Sequence, residues 1–386
     1  MAELALGLTA LVLVLTAVRI ALALRHLRAA PGGEPVGAGS VDGPPHGGRG
    51  QRVTVLQPIR SGDPLLAAML AENVVNQPDA HLLWLVDEDD PEALAVTRSL
   101  AAGAANVELL VTPAYVPGVN PKVAKLVLGL PRCGEVLAVL DDDTVLPPGA
   151  LDRAVGALAH GDLVTGLPVY REQGSVWSRL VAAFVNGSAL LSYPALAALA
   201  PPVTINGMFV LTRRSVLEDL GGFRAIELAV RDDYELARLY RSAGLKIVQS
   251  AVVHPLATTV AGPGAYLRIL RRWLAFGGQV VARDATPALL GLVVLPTVLP
   301  LAALMAAIAS GRGVVVVAVL AGLLAKALTT AVLRRRTPPA PAGALGVALE
   351  VIADLLTPVH ALCAVLGPRR VSWRGRTVWL ADGPRP

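Results

Sequence analysis

Four apolar runs, each close to the length that crosses a bilayer, bracket one long block of mixed polarity. That layout constrains the fold more than any other feature of the chain. The runs are Leu4–Leu24, Pro287–Ser310, Val314–Leu333 and Ala344–Leu366, set against the ~20 residues that a spanning helix needs. With 54% hydrophobic and only 16% charged residues, the chain is too apolar for an ordinary soluble protein. The expected organisation is an N-terminal membrane anchor over 1–28, a flexible Gly/Pro linker over 29–51 and a globular domain over 52–284. Membrane helices over 285–368 and a basic tail over 369–386 follow.

Basic residues orient this layout. A signal peptide carries positive charge before its apolar core. Here only Glu3 precedes the first run, while Arg25, His26 and Arg28 follow it. The first run is therefore expected to stay as an anchor, with the globular domain on the cytoplasmic side of the cell membrane. Arg271, Arg272 and Arg283 before the second run, and Arg334-Arg335-Arg336 after the third, agree with that side. The last run is interrupted by Glu350, Asp354 and Pro358. Charges are costly in mid-membrane, so a re-entrant or interfacial helix and a full span both remain open there. The net charge of +5 fits arginines facing anionic headgroups. At 4% aromatics there is too little stacking surface for nucleic acid. Cys133 and Cys363 have no metal-ligand spacing and read as buried thiols.

Inside the block, strands and helices alternate. Val53–Gln57, His81–Val86, Val107–Val111 and Val136–Leu140 read as strands. Asp63-Pro64, Asp90-Pro91 and Asn120-Pro121 each pair a capping side chain with proline at the first helical position. Such alternation predicts an α/β fold with a parallel sheet and right-handed crossovers, Rossmann-like in outline. No Gly-x-Gly-x-x-Gly turn follows the first strand, and no Gly-x-x-x-x-Gly-Lys loop occurs. Dinucleotide oxidoreductases and P-loop nucleotide hydrolases are thereby disfavoured. Leu163–Tyr170 and Val203–Thr212 read as further strands, separated by the apolar stretch Trp177–Leu199, a buried core helix or one lying on the membrane.

The strand Val136–Leu140 runs into Asp141-Asp142-Asp143. Adjacent acids at a strand end repel one another unless a cation sits there, and Asp141 and Asp143 can both turn toward a hard divalent ion. A surface turn would account for the same three letters. Asp87 ends the second strand, where a carboxylate can bind a base or ribose; a solvated acidic loop is the plainer reading. Asp232-Asp233 open a helical stretch, where the macrodipole alone favours acids. Paired acids can also part in pKa and leave one as a general base. His254 closes the run Ile247–Val253 and is either an ordinary buried histidine or a metal ligand. Arg272 and Trp273 precede the second apolar run. They suit a membrane interface, and equally a cation against a leaving diphosphate with a wall for an acceptor.

In chain order these segments resemble the family 2 glycosyltransferases of GT-A fold, and within them the ceramide glucosyltransferase group and the bacterial hopanoid-biosynthesis branch. The resemblance runs through V-T-V-L-Q-P-I-R-S-G-D at 53–63, V-D-E-D-D-P at 86–91, V-N-P-K at 119–122 and Asp141–Asp143. It continues through G-L-P at 166–168, N-G-M at 206–208, Gly221-Gly222, R-D-D-Y at 231–234, Arg272-Trp273 and V-S-W-R-G-R at 371–376. It implies a GT-A domain flanked by transmembrane helices. It further implies a membrane-bound inverting transferase that moves a sugar from a UDP-sugar to a lipid hydroxyl.

By this resemblance Asp87, Lys122, Asp141, Asn206 and Gly207 would bind the nucleotide-sugar. Asp141, Asp143 and His254 would hold Mg2+ or Mn2+. Asp233, or its neighbour Asp232, would be the base, and Arg272-Trp273 would remain from the family's (Gln/Arg)-x-x-Arg-Trp signature. Two departures stand out: Ile269 fills the signature's first position, and the acid pair is Asp-Asp where Glu-Asp is commoner. A polyprenyl-phosphate or polysaccharide-synthase type of transferase is the nearest alternative. A catalytically inactive, membrane-tethered nucleotide-sugar binding module is another of a different class.

Overall fold

A computed structural model of the 386-residue chain describes residues 1–30, 53–114, 118–335, 343–367, 370–373 and 376–379. Nearly all of the expected linker and most of the basic tail lie outside these residues. The chain divides into two compact units, one formed by 27–168 and 201–259, the other by 1–26, 169–200 and 260–386. The expected domain boundary at 284 thus differs from this division: 169–200 and 260–284 cluster with the apolar helices.

The first unit is built on a sheet whose strands are β1 (Thr54–Ile59), β2 (His81–Asp87), β3 (Val107–Thr112), β4 (Val136–Leu140), β5 (Leu163–Tyr170), β6 (Phe209–Arg213) and β7 (Ile247–Leu256). Their order across the sheet is β3-β2-β1-β4-β6-β5-β7. The pairs β3–β2, β2–β1 and β1–β4 are parallel, as the alternation of elements predicts, whereas β6 runs antiparallel to both β4 and β5. The sixth strand is shorter than the expected Val203–Thr212, because 203–208 form a bend in which the Asn206 amide oxygen accepts the Met208 N–H.

Period-two burial explains why these runs are strands. In β2, Leu82, Trp84 and Val86 enter one core cluster while Leu83 and Leu85 enter the other; in β4, Val136, Ala138 and Leu140 oppose Leu137 and Val139 in the same way. Both faces are covered, so the strands read as continuous apolar runs. Helices Leu66–Asn76, Pro91–Ala101 and Ala150–Ala157 bring Leu70, Leu94 and Ala154 to one face. Helices Pro121–Gly129 and Asp232–Ser242 bring Leu126 and Leu236 to the other.

Asp90 caps its helix by accepting the Ala93 N–H, and Asn120 caps the next by accepting from Lys122 and Val123. Asp63 departs from expectation. The helix starts only at Leu66, and the Asp63 carboxylate accepts the Leu65 N–H and both the N–H and hydroxyl of Thr259.

Among the described residues of the other unit, five helices are long and apolar enough to cross a membrane: the four foreseen and Val176–Ala197. The last is continuous over Ala344–Leu366, and its acids have partners. Lys326 lies 2.7 Å from Asp354 and 3.4 Å from Glu350, and Arg334 bridges Glu350 at 3.1 Å and Glu172 at 3.2 Å. Arg19 on the first helix donates to the Leu191 carbonyl and to Ser192 Oγ. Cys133 is buried as expected. Cys363 is not: it lies exposed on the surface of its helix.

Candidate active site

The strand order places β1 between β2 and β4, so connections leave in opposite directions and open a crevice at the carboxyl ends. Asp87 is the last residue of β2, Asp141 follows β4 and Arg60 follows β1. The three consecutive acids separate by strand geometry. Asp142 turns away, its Oδ2 accepting the Arg60 N–H at 2.8 Å. Asp143 Oδ2 accepts from the Thr258 hydroxyl at 3.0 Å. Asp141 faces Lys122.

Helix Pro121–Gly129 delivers two lysines three residues apart, hence on one face. The Lys122 ammonium lies 2.7 Å from Asp141 Oδ1 and 3.4 Å from Asp232 Oδ2, and donates to the Gly207 carbonyl at 3.0 Å. Lys125 lies 3.1 Å from Asp87 Oδ2 and donates to the Ile59 carbonyl at 2.6 Å. Asp87 is buried: Oδ1 accepts from Thr112, and Oδ2 meets Lys125 and, at 3.2 Å, Arg60. Sequence reasoning missed Arg60 and Lys125. The signals were there, since Arg60 directly follows a strand and Lys125 shares a helix face with Lys122 in a chain of four lysines.

Helix Asp232–Ser242 presents its two N-terminal acids to the same place. Asp232, Asp233, Lys122 and Gly207 line one small pocket whose floor is apolar, with Val139, Ile205 and Phe223. Burial pushes the Asp233 carboxyl up to about 6, with Asp232 beside it adding to the rise. Burial likewise raises Asp141, an effect that Lys122 only partly offsets. Burial works against the charge on Lys122, but Asp141 and Asp232 outweigh it and hold the ammonium above its ordinary value. Asp141 keeps 28% side-chain exposure although it is ringed by protein atoms, which describes the wall of a pocket open at its mouth.

Asn206 is buried and accepts at its carbonyl from the Thr165 hydroxyl. Gly207 follows, so close to Asp233 that only glycine fits. His254 is fully buried near Phe209, with a ring separation of 5.8 Å, and neither ring nitrogen has a hydrogen-bond partner among the described residues. Burial lowers its pKa to about 3, so the ring is neutral. Gly166 makes room for it: a β-carbon there would stand 2.6 Å from His254 Nδ1. Among the described residues, no three His, Cys, Asp or Glu side chains form a ready-made metal cluster. Arg272 and Trp273 belong to the other unit, on helix Pro263–Asp284. Within that unit Trp273 stacks on Phe184 at 6.2 Å and meets Tyr170 edge-on at 6.3 Å.

The donor set suits a hard divalent ion. Asp141 and Asp143 offer carboxylate oxygens, and His254 is a neutral imidazole without a hydrogen-bond partner among the described residues. Asp141, Asp232 and Asp233 surround a single ammonium, so the ionised pocket is short of two positive charges.

The sequence is 25% identical over 230 residues to ceramide glucosyltransferase 1 of Caenorhabditis elegans, covering 58% of this chain and 49% of that protein. It thus spans about half the length of that curated relative. A mannosyltransferase from Pyrobaculum calidifontis, solved in complex with GDP-Man and Mn2+, superposes with a TM-score of 0.50 at 19% identity. That match covers 93% of this chain and 98% of the mannosyltransferase, and it shares the GT-A fold read from the sequence. The family model for glycosyl transferase family 21 matches residues 9–385. The chain belongs to glycosyl transferase family 21.

Proposed function

We propose that this protein transfers a sugar from a UDP-sugar to a hydroxyl of a membrane lipid at the cytoplasmic leaflet, with inversion at the anomeric carbon. The observation that carries the reading is the gathering of Asp141, Asp232 and Asp233 around Lys122 at the strand ends, with Asp233 poised near 6. The match to a ceramide glucosyltransferase supports the lipid acceptor, as do the apolar helices.

In this account Asp87 sits where the nucleoside binds, its carboxylate fixed by Thr112, Lys125 and Arg60. A divalent ion held by Asp141, Asp143 and the donor's own phosphates would supply the positive charge against which the diphosphate leaves, since such ions are commonly shared between one or two carboxylates and substrate phosphates. His254 is the nitrogen donor available to complete that shell. Asn206 and Gly207 border the sugar. Asp233 takes the proton from the acceptor hydroxyl as its oxygen bonds to the anomeric carbon and the bond to the diphosphate breaks on the opposite face. General-base help of this kind is typically worth ~10²–10⁴ in rate. For Arg272 and Trp273 the proposed roles are those read from the sequence, charge against the leaving diphosphate and a wall for the acceptor.

The test is UDP release by the full-length protein in lipid–detergent bicelles, with a panel of UDP-sugars and lipid alcohols, with and without Mg2+ or Mn2+. Release that requires both the divalent ion and a lipid alcohol is expected, and Asp143→Ala should remove most of it. Full activity in EDTA, or in Asp143→Ala, would exclude the metal role.

A further inference from the structure

The Lys122 ammonium is engaged on three sides: it lies 2.7 Å from Asp141 Oδ1 and 3.4 Å from Asp232 Oδ2, and donates to the Gly207 carbonyl. To serve a phosphate it must leave at least one of these partners. At the same time the oxygen of Asp141 that it meets, 2.7 Å away, is one that a metal ion would need. The backbone beneath is fixed: Asn120 caps the helix, its N–H donates to the Glu227 carbonyl, and its amide donates to the Ala229 carbonyl. Only the four-carbon side chain is free to swing.

We propose that Lys122 is the resident cation of this pocket: without metal it bridges Asp141 and Asp232 in the ion's place, and arrival of the metal with its nucleotide moves it from Asp141 to the diphosphate. The inference rests on the reading above in which Asp141 holds the metal. It adds a competition that the reading does not contain. Metal alone must displace the ammonium from its closest carboxylate, Asp141, and leave it with Asp232 at the longer distance of 3.4 Å. Nucleotide alone must pull the same ammonium away and leave the carboxylates facing each other. Together, each removes the other's cost, so the two bind cooperatively. Coupling between linked sites is typically 5–150-fold.

The experiment is a Mn2+ titration of the full-length protein in detergent, followed by the electron paramagnetic resonance of free Mn2+, with and without UDP. Wild type is expected to bind Mn2+ weakly alone and at least about tenfold more tightly with UDP. Lys122→Met, and Lys122→Gln with its uncharged amide, should bind Mn2+ alone about tenfold more tightly than wild type and lose the enhancement by UDP. Metal-only affinity that is unchanged or weaker in both variants overturns the proposal.

A second readout needs no variant. Amine acylation mapped by mass spectrometry is readable here because the chain has only Lys122, Lys125, Lys246 and Lys326. Saturating Mn2+ alone should raise labelling of Lys122 in wild type, and adding UDP should lower it again; no change on adding Mn2+ would overturn the proposal. Binding of Mn2+ with UDP but without the competition sinks this inference alone. Absence of Mn2+–UDP binding in wild type and variants sinks the reading beneath it.

Discussion

A β-carbon added to Gly207 would stand 2.8 Å from the β-carbon of Asp233. Real side chains do not approach so closely. Asp233 sits in the first turn of helix Asp232–Ser242, whose Leu236, Ala237 and Tyr240 are buried in the core, so the helix yields little. The two residues therefore set each other's position. Gly207→Ala should displace the Asp233 carboxylate by a fraction of an ångström to one ångström and lower kcat by about 100-fold, with a melting temperature somewhat below that of the parent because the overpacked contact is strained. Steady-state rates beside a thermal melt check this; an unchanged kcat would separate Gly207 from the chemistry.

The Asp233 carboxyl, raised to about 6 by burial and by Asp232, predicts a pH profile. Only the ionised form accepts a proton. The rate should therefore fall about tenfold per pH unit below 6 and level off above it. The sign for stability is opposite to that of an ordinary paired carboxylate. A folded-state pKa above the unfolded value means that the ionised group costs stability once pH rises past both. At pH 8, Asp233→Asn should accordingly melt no lower than the parent while losing activity. A lower melting temperature in that variant would show that the charge holds the site together.

Glu350 is buried between Lys326 and Arg334 on the neighbouring helix. Removing one member of a buried ion pair and leaving its partner uncompensated costs about 3–5 kcal/mol, but here Lys326 keeps Asp354 and Arg334 keeps Glu172. Glu350→Ala should lower thermal stability in detergent by less than that range, and Glu350→Gln by less still, because its one amide oxygen can accept from one of the two cations. Equal melting of Glu350→Ala and parent would show that the network is hydrated and adds nothing.

Much of this was legible in the chain because burial on both faces of a sheet writes continuous apolar runs, and because Asp90-Pro91 and Asn120-Pro121 fix helix starts locally. The strand end at Asp141–Asp143 needed only those rules. Pairings across distant segments were not legible. Nothing local says that Lys125 reaches Asp87, or that Asp63 holds Thr259 and so cannot act as a simple cap. Glu350 and Asp354 read as interruptions of a membrane segment because their compensating cations, Lys326 and Arg334, lie on another helix. The antiparallel course of β6 depends on its pairing with β4 and β5, far apart in the chain, although Asn206-Gly207 just before it is a turn signal that the strand reading passed over.

The account as a whole is tested most directly by the product. Full-length protein in bicelles should be given a UDP-sugar, a divalent ion and a lipid alcohol, and the extracted lipids analysed by mass spectrometry. The account predicts a lipid heavier by one sugar residue, formed by wild type and reduced by at least ~10²-fold in Asp233→Asn, whose donor binding is retained. Polymer-length products, or equal amounts of glycolipid from both proteins, would contradict it.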